Sequence, residues 1–487
     1  MKYLIFAISF FCLSACTSDT PAANPTAPTE TTTPVSPDSK GGLESPDITI
    51  EIENFPAGDA FLIGTHVDRN YRVDSTRIDA NGRLHFKSSD AYIPGLYFVV
   101  LPDGSNFQLL LDKDQTMSIK TNAQDYTSTT VVQGNIDTKL LHENFLYESN
   151  YRAQLDPINA QLKNHPDGSA QHKALKQQQK AIADQRDADL EKIFKQYPNT
   201  LFTSFKRAGQ NPRVNDFYKS DGTPDYGKQI YDYRTSFWDN VDFDDERLLY
   251  TPVINNKLDK YILQLTTQNP DSIIRSVDFL VSKMLDKPAF YKFIVNKIAL
   301  TFEPTKSTLM DAEKVYVHML QNYFTKERAV WSDAASIQGI QQRAFEMANS
   351  LTGNKGPDVS TTDVNGQVKS IYEMKADYLV VYLYTPTCEH CMEQTPKLIN
   401  LYNKTKRSDL DVYSIAIDTN DKEWRDYVKK TGMPFTAVFD PTNKSIYAKY
   451  YVDITPEVYV LNKERIIIGK NLNVNQIEEV IRMDKEK

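Results

Sequence analysis

Cysteine is scarce in this chain: four of its 487 residues are cysteine, and two of these form a CxxC pair, Cys388 and Cys391. A structural zinc site needs about four thiolate or imidazole ligands. The sequence contains neither a second CxxC nor a pair of histidines at metal-ligand spacing that could complete such a site. We therefore predict no metal and no cofactor. A redox pair is the favoured interpretation of the two cysteines, and a pair of inert core side chains is an alternative.

A concentrated basic surface is also missing from the sequence. The 56 lysine and arginine residues are scattered along the chain and are outnumbered by 64 acidic residues, which gives a formal net charge of −8. Binding of a nucleic-acid backbone depends on clustered positive charge. The composition therefore argues against nucleic acid as a partner.

The apolar run at Tyr3–Cys12 is too short for the ~20 residues of a transmembrane helix, but it suits the central region of a secretory signal peptide. The run is followed by LSAC, which ends at Cys16 and resembles the lipobox of bacterial lipoproteins. The resemblance implies that residues 1–15 are a signal peptide and that Cys16 is acylated. Ordinary signal cleavage nearby, which would leave Cys16 as a free thiol, is the alternative.

Residues 16–47 are rich in Thr, Pro, Ala and Ser and have too few apolar side chains to bury a core. We interpret this segment as a flexible tether. Together with an acylated Cys16, it predicts a lipid-anchored membrane protein of the cell envelope that faces the periplasm. Thr17 replaces the aspartate that favours inner-membrane retention in enteric bacteria, which favours the outer membrane, and the same anchor is compatible with surface exposure.

Two segments of different periodicity precede the CxxC region. In residues 48–134, short β-type runs alternate with turn signals such as Asn81-Gly82, which predicts an antiparallel β-sandwich. The order of these runs resembles a small β-sandwich at the N-terminus of lipoproteins from Bacteroidetes-type bacteria. Residues 135–351 show amphipathic helical spacing, which predicts an all-α middle domain. An acidic cluster around Asp245 favours helix capping, with cation binding as the alternative.

Residues 352–487 return to alternating strand and helix patterns, which predicts an α/β domain. The run YLVVYLYTP is too continuously apolar for an exposed strand, and it ends directly before Cys388. The amphipathic helix that follows begins at the cysteine pair. After lipidation of Cys16 and removal of Cys12 with the signal peptide, Cys388 and Cys391 are the only thiols left in the predicted mature chain.

This C-terminal domain resembles the thioredoxin-fold thiol:disulfide oxidoreductases of the TlpA/ResA-like lipoprotein or periplasmic kind. The resemblance is carried by the CEHC stretch at 388–391, by Thr455-Pro456 before the strand VYVLN, and by the leading GPDVSTTDVNGQ. It implies a cis peptide bond before Pro456, which faces the cysteine pair. It also implies that Thr455 presents its backbone to an extended substrate.

Each residue of the CEHC stretch has a chemical role under this interpretation. Cys388, at a helix N-terminus, is the nucleophile because the unpaired N–H groups and the helix dipole favour its thiolate. Cys391, one turn later, resolves the mixed disulfide. His390 favours the Cys388 thiolate and moves the couple towards oxidant, and Glu389 opposes it.

The sequence departs from family patterns at three neighbouring positions. Thr387 replaces a tryptophan that commonly precedes the first cysteine, and Tyr382 replaces the buried acid of thioredoxin. Thr385 precedes Cys388 as in peroxiredoxins, but Val381 stands where their motif has proline. A peroxiredoxin-like peroxidase is therefore the less favoured alternative.

Two functions of different classes fit the sequence. The first is a membrane-anchored reductase or isomerase that acts on disulfides of exported proteins and receives electrons from an upstream thiol donor. The second is an envelope binding module whose thioredoxin-like domain is structural or senses redox state.

Overall fold

The computed structural model describes residues 42–166, 168–304, 306–307 and 309–486. The chain divides into two compact units, residues 1–261 and 262–487. The signal peptide, the acylated Cys16 and most of the tether lie outside the described residues and remain predictions. In the described part of the chain, no helix combines the length and apolar character needed to cross a bilayer.

The first unit begins with two four-stranded sheets. Their strands are β1 (Asp47–Glu53), β2 (Gly58–His66), β3 (Arg69–Ile78), β4 (Arg83–Lys87), β5 (Gly95–Val100), β6 (Asn106–Leu111), β7 (Thr116–Asn122) and β8 (Val131–Gly134). One sheet has the order β4-β1-β7-β8 and the other β3-β2-β5-β6. Alternate residues of β1 face inward, so that Ile48, Ile50 and Ile52 are fully buried in one apolar core with residues of both sheets.

The predicted sandwich is confirmed, but one pair of its strands is not antiparallel. Strand β1 pairs with β7 in parallel, whereas the other pairs in the two sheets are antiparallel. Alternation of apolar residues encodes which face of a strand is buried and not the direction of its neighbour. The prediction of a purely antiparallel sandwich is therefore wrong for this pair.

Helices complete the first unit. They are α1 (Tyr126–Thr129), α2 (Ile136–Leu162), α3 (Ala170–Gln196), α4 (Leu201–Ala208), α5 (Tyr226–Thr235) and α6 (Val253–Asp259), with a 3-10 helix at Glu246–Tyr250. Helices α2 and α3 are connected by an ion pair between Glu148 and Arg186 at 2.6 Å. Asp245 caps the 3-10 helix by accepting from the backbone N–H of Arg247, as predicted for the acidic cluster.

The second unit begins with four helices, α7 (Pro270–Ser282), α8 (Pro288–Thr301), α9 (Ala312–Tyr323) and α10 (Ala334–Ala348). The boundary between the two units thus falls inside the segment 135–351, which the sequence analysis treats as one helical domain. The predicted limits of the three domains remain predictions.

An α/β domain follows these helices. Its elements are β9 (Ser360–Thr362), β10 (Val368–Ser370), β11 (Tyr378–Tyr384), α11 (Glu389–Lys404), β12 (Leu410–Ala416), α12 (Asp421–Thr431), β13 (Thr436–Phe439), β14 (Glu457–Leu461), β15 (Ile467–Gly469) and α13 (Ile477–Lys485). The main sheet has the order β13-β12-β11-β14-β15, with β11, β12 and β13 parallel and β14 and β15 antiparallel to their neighbours. The predicted α/β class is confirmed.

The central strand β11 positions the cysteine pair. Its residues from Leu379 to Tyr384 are all buried, because apolar clusters cover both faces of the sheet. The chain leaves the carboxyl end of β11, turns through Thr385–Thr387 and enters α11 at Glu389. The end of a central parallel strand is where open α/β sheets bind their ligands.

Candidate active site

Cys388 is the N-terminal cap of α11. Its Sγ accepts a hydrogen bond from the backbone N–H of Cys391 at 3.4 Å, and its extended backbone, with φ −77° and ψ 125°, turns the chain into the helix. A capping side chain meets the unpaired N–H groups of the first helical turn. The predicted place of Cys388 at a helix N-terminus is therefore confirmed.

The Thr455–Pro456 segment lies opposite this thiol. The peptide bond between these two residues is cis, as the resemblance implies. The Sγ of Cys388 lies 3.2 Å from the backbone carbonyl oxygen of Thr455 and donates to it. The fold thus brings together two of the three stretches that carry the resemblance.

The two thiols differ in exposure and in acidity. Burial acts to raise the pKa of Cys388, but hydrogen bonds from the thiol and N–H of Cys391 and from the N–H of His390 outweigh it, and the net pKa is lowered. Cys391 is fully buried, and burial together with its bond to Cys388 raises its pKa to about 12. Cys388 is therefore the thiol that ionises first.

Three tyrosines surround the buried cysteine. The hydroxyls of Tyr382 and Tyr427 reach Thr395 Oγ1 at 2.9 and 3.0 Å, and each lies 3.4 Å from the carbonyl oxygen of Cys391. The ring of Tyr384 stacks on that of Tyr382 with centroids 5.4 Å apart. A neutral phenol network thus fills the region where thioredoxin has an acid. Sequence analysis found Tyr382 but missed Tyr427, which comes from α12.

The two residues between the cysteines are exposed. Glu389 and His390 both have solvent-accessible side chains in the first turn of α11, and so does Thr387 before Cys388. The backbone N–H of His390 contributes to the lowered pKa of Cys388. The roles of the Glu389 and His390 side chains in setting the redox potential remain predictions.

A charged cluster on the same sheet was missed by the sequence analysis. Lys470, which follows β15, is buried and pairs with Glu313 of α9 at 2.6 Å. Glu457, the first residue of β14, lies 4.0 Å from the same ammonium. The available signal was a glutamate directly after Pro456 and a lysine directly after the apolar run IIIG.

Neither cysteine belongs to a metal-ligand cluster among the described residues. Within residues 42–486, apart from the undescribed positions, no group of three or more His, Cys, Asp or Glu side chains is arranged to hold a metal ion. Both Cys388 and Cys391 are free thiols in the structure.

A central parallel strand, a helix capped by a low-pKa cysteine, a buried second cysteine one turn later and a facing cis-proline segment define a thioredoxin-like redox domain. The C-terminal domain of this chain is thus a thioredoxin-like domain, similar to those of thiol-disulfide oxidoreductases. A model described as the AhpC/TSA family matches residues 352–470.

The chain is similar to several proteins of known sequence or structure. The thiol-disulfide oxidoreductase ResA of Bacillus thuringiensis is 22% identical over 128 residues, which cover 26% of this chain and 73% of the relative. A domain of a possible thiol-disulfide isomerase from Cytophaga hutchinsonii is 27% identical, with a TM-score of 0.27, and the match covers 28% of this chain and 96% of that domain. A thioredoxin-like protein from Bacteroides caccae is 19% identical, with a TM-score of 0.43, and covers 56% of this chain and 98% of its own.

Two further family models match the preceding regions. Both are described as domains of unknown function, DUF4369 at residues 47–141 and DUF5106 at residues 228–341. The first corresponds to the β-sandwich and the start of α2. Neither description assigns a chemistry to these regions.

Proposed function

We propose that this protein is a membrane-anchored thiol:disulfide oxidoreductase that reduces or isomerises disulfides of exported proteins through Cys388 and Cys391. The observation that carries the proposal is the pairing of a lowered-pKa thiol at a helix N-terminus with a buried thiol one turn later. That difference supports attack by Cys388 and resolution by Cys391.

The reaction begins with the Cys388 thiolate. It attacks one sulfur of a substrate disulfide, the substrate S–S bond breaks, and the departing substrate thiolate takes the proton of Cys391. The Cys391 thiolate then attacks Cys388 Sγ, which leaves a Cys388–Cys391 disulfide and releases the second substrate sulfur as a thiolate that takes a proton from solvent. Two electrons have passed to the substrate, and an upstream dithiol donor must return them.

The proton of Cys391 has few acceptors once Cys388 is bound to substrate. In the free dithiol, Cys391 donates to Cys388, and the polar side chains near it include the hydroxyls of Thr455, Tyr382 and Tyr427. Phenol and alcohol hydroxyls are weak bases. The departing thiolate of the substrate is the base best suited to take this proton.

A reductase assay tests the catalytic proposal. The chain beginning at Thr17 is expected to accelerate the reduction of insulin by dithiothreitol, and Cys388→Ser to abolish the acceleration. Cys391→Ser is expected to accumulate mixed disulfides with insulin, which Cys388→Ser cannot form. A wild type no faster than Cys388→Ser would contradict the proposal and favour the binding module.

Lipid anchoring is a separate part of the proposal. It is supported by the lipobox-like sequence that ends at Cys16 and by the Thr/Pro-rich segment after it. The wild type is expected to partition into the detergent phase and Cys16→Ala into the aqueous phase. Mass spectrometry that finds an unmodified Cys16 in the mature protein would refute the anchor.

The peroxidase alternative has one observation against it. Thr385, the residue that the peroxiredoxin comparison singled out, donates its hydroxyl to the carbonyl of Ile417 at 3.3 Å. Its one proton is thus directed at a backbone carbonyl, which counts against donation to a peroxide held by Cys388. We expect peroxide consumption by the reduced protein to be no faster than that by free dithiothreitol.

A further inference from the structure

A buried polar cluster lies on the sheet face opposite Cys391. It consists of Glu313, Ser350, Glu457, Tyr459 and Lys470, each at most 4% exposed. Alternate residues of a strand share a face, so Glu457 and Tyr459 of β14 point away from the cysteine core. Buried polar groups are costly unless each one is paired. The proton positions in this cluster are therefore strongly constrained.

Lys470 has one close anionic partner. Its Nζ lies 2.6 Å from a carboxylate oxygen of Glu313 and 4.0 Å from Glu457, and it donates to Ser350 Oγ at 3.2 Å. Ser350 in turn donates its hydroxyl to the backbone carbonyl of Tyr450 at 2.5 Å. The charge of Lys470 is thus neutralised by Glu313, which leaves Glu457 without a cation in direct contact.

The phenol of Tyr459 is a hydrogen-bond partner of Glu457. Its oxygen contacts two others, the carbonyl oxygen of Tyr450 at 2.9 Å and Oε1 of Glu457. Ser350 also donates to the Tyr450 carbonyl. The single phenol proton of Tyr459 can therefore go to an ionised Glu457, or to Tyr450 while Tyr459 accepts from a protonated Glu457.

The surrounding charges favour the protonated form of Glu457. The groups facing Glu457 are Lys470 after β15, Glu313 of α9, Asp453 before β14 and Tyr459 beside it. Lys470 also interacts with Asp311, so one ammonium is shared by several carboxyl groups, and the low dielectric of a buried site disfavours a second buried anion. Burial accordingly raises the pKa of Glu457, which Lys470 and the hydrogen bond from Tyr459 offset only in part.

We propose that Glu457 is a protonated carboxylic acid in the native protein and a positioning residue for Thr455, with Glu313 supplying the counter-charge that allows it. Glu457 is two residues from Thr455, whose carbonyl oxygen lies 3.2 Å from Cys388 Sγ. Bonding of the acid to Tyr459 fixes the start of β14 and hence the backbone that faces the thiol. The positioning role rests on the proposed function, because it matters where a substrate binds beside Cys388.

Infrared difference spectroscopy tests the protonation. At pH 7 the wild type is expected to show a carbonyl stretching band of a protonated carboxyl group that is missing in Glu457→Gln. Glu313→Gln is also expected to lose this band, because Lys470 then needs Glu457 as its anion. Lys314→Met is the matched control: Lys314 is the next residue of α9, but it pairs with Asp271 at 2.8 Å outside the cluster. It is expected to keep the band.

Insulin reduction tests the positioning. A glutamine amide can donate to Tyr459 as the protonated acid does, so Glu457→Gln is expected to keep kcat/KM within about twofold of the wild type. Glu457→Ala removes the donor and is expected to lower kcat/KM at least about tenfold, since small displacements at a reacting centre are costly. Rescue by glutamine distinguishes a neutral hydrogen-bonding group from an anion.

The protonation of Glu457, its positioning role and the proposed function are each decided by a different result. A protonated-carboxyl band of equal intensity in the wild type and in Glu457→Gln would show that Glu457 is ionised and would overturn the proposal. A glutamine variant as slow as the alanine variant would overturn the positioning role, because it would mean that the negative charge is required. If the wild type itself does not reduce insulin, the proposed function fails, whereas the infrared band still decides the state of Glu457.

Discussion

Each of the two compact units buries a lysine, and the two lysines have opposite surroundings. In the first unit, Lys257 donates to the carbonyl of Gln210 at 2.9 Å and lies 4.1 Å from the centroid of the Phe237 ring. Neither contact carries a full negative charge. In the second unit, Lys470 lies 2.6 Å from the carboxylate of Glu313.

The pKa values of the two lysines follow these surroundings. Burial, with a smaller effect of Lys260, lowers the pKa of Lys257 to about 7. Burial acts in the same direction on Lys470, but nearby carboxylates, chiefly Glu313, outweigh it and raise its pKa. Burial alone therefore does not determine the charge of a lysine. In the second unit, Lys470 stays charged because Glu313 of α9 lies beside it.

The largest expected effect is a loss of stability when Lys470 is replaced, and the same replacement of Lys257 is the comparison. Lys470→Met leaves the carboxylate of Glu313 buried without its cation, which is expected to lower the free energy of unfolding by ~3–5 kcal/mol. Lys257→Met removes a poorly solvated ammonium and one hydrogen bond, and it is expected to change that free energy by less than ~1.5 kcal/mol.

Urea unfolding of the two variants and the wild type measures this difference. The double variant Lys470→Met with Glu313→Leu is the control, because it removes both charges and is expected to recover much of the loss. Equal losses of unfolding free energy in Lys470→Met and Lys257→Met would contradict the contrast between the two lysines.

The two lysines are also expected to change the pH dependence of stability in opposite directions. The folded pKa of Lys257, about 7, is below the ordinary lysine value of 10.5, so the unfolded chain binds more protons between these two values. Stability from this residue therefore rises with pH across that window, by at most ~1.4 kcal/mol per pH unit. The contribution of Lys470 to stability changes with pH in the opposite direction. Because its folded pKa is raised, this contribution is complete below the unfolded pKa and is lost as pH rises through the folded pKa.

The difference in stability between the wild type and Lys257→Met isolates the first effect. Urea midpoints between pH 7 and 9 are expected to rise in the wild type relative to this variant. Parallel curves would mean that Lys257 remains charged in the folded protein.

The cysteine pair shows the same principle within the second unit. Hydrogen bonds hold the pKa of Cys388 below its ordinary value, whereas burial raises that of Cys391 to about 12. Only thiolates alkylate, so at pH 7 iodoacetamide is expected to modify Cys388 at least about tenfold faster than Cys391. Peptide mapping of the reduced protein measures both rates. Similar rates would contradict the assignment of nucleophile and resolving cysteine.

The sequence predicted the features that depend on local pattern. The apolar run YLVVYLYTP predicts a buried strand, and the amphipathic segment after it predicts a helix, which together place Cys388 at a helix N-terminus. The cis bond before Pro456 came from the resemblance, because local chemistry favours trans.

Contacts between distant segments could not be predicted in this way. The pair of Glu313 and Lys470 depends on how α9 packs on the sheet, and helical periodicity does not specify a neighbour. Tyr427 was missed for the same reason, since its hydroxyl reaches the cysteine region from α12. Tyr382 was found because its spacing from Cys388 along one strand could be read directly.

The smallest expected effect concerns charges that are exposed. Glu389 and His390 lie between the cysteines with solvent-accessible side chains, in contrast to the buried pair of Glu313 and Lys470. Water screens exposed charges, so each is expected to shift the redox potential by at most ~30 mV, which equals ~1.4 kcal/mol for two electrons. His390→Ala should lower the potential, because a thiolate-stabilising group favours the reduced form, and Glu389→Gln should raise it. Equilibration with glutathione, read by thiol trapping, gives both values. A His390→Ala potential that is unchanged or higher would mean that the backbone N–H groups of α11, and not the side chains between the cysteines, set the redox potential.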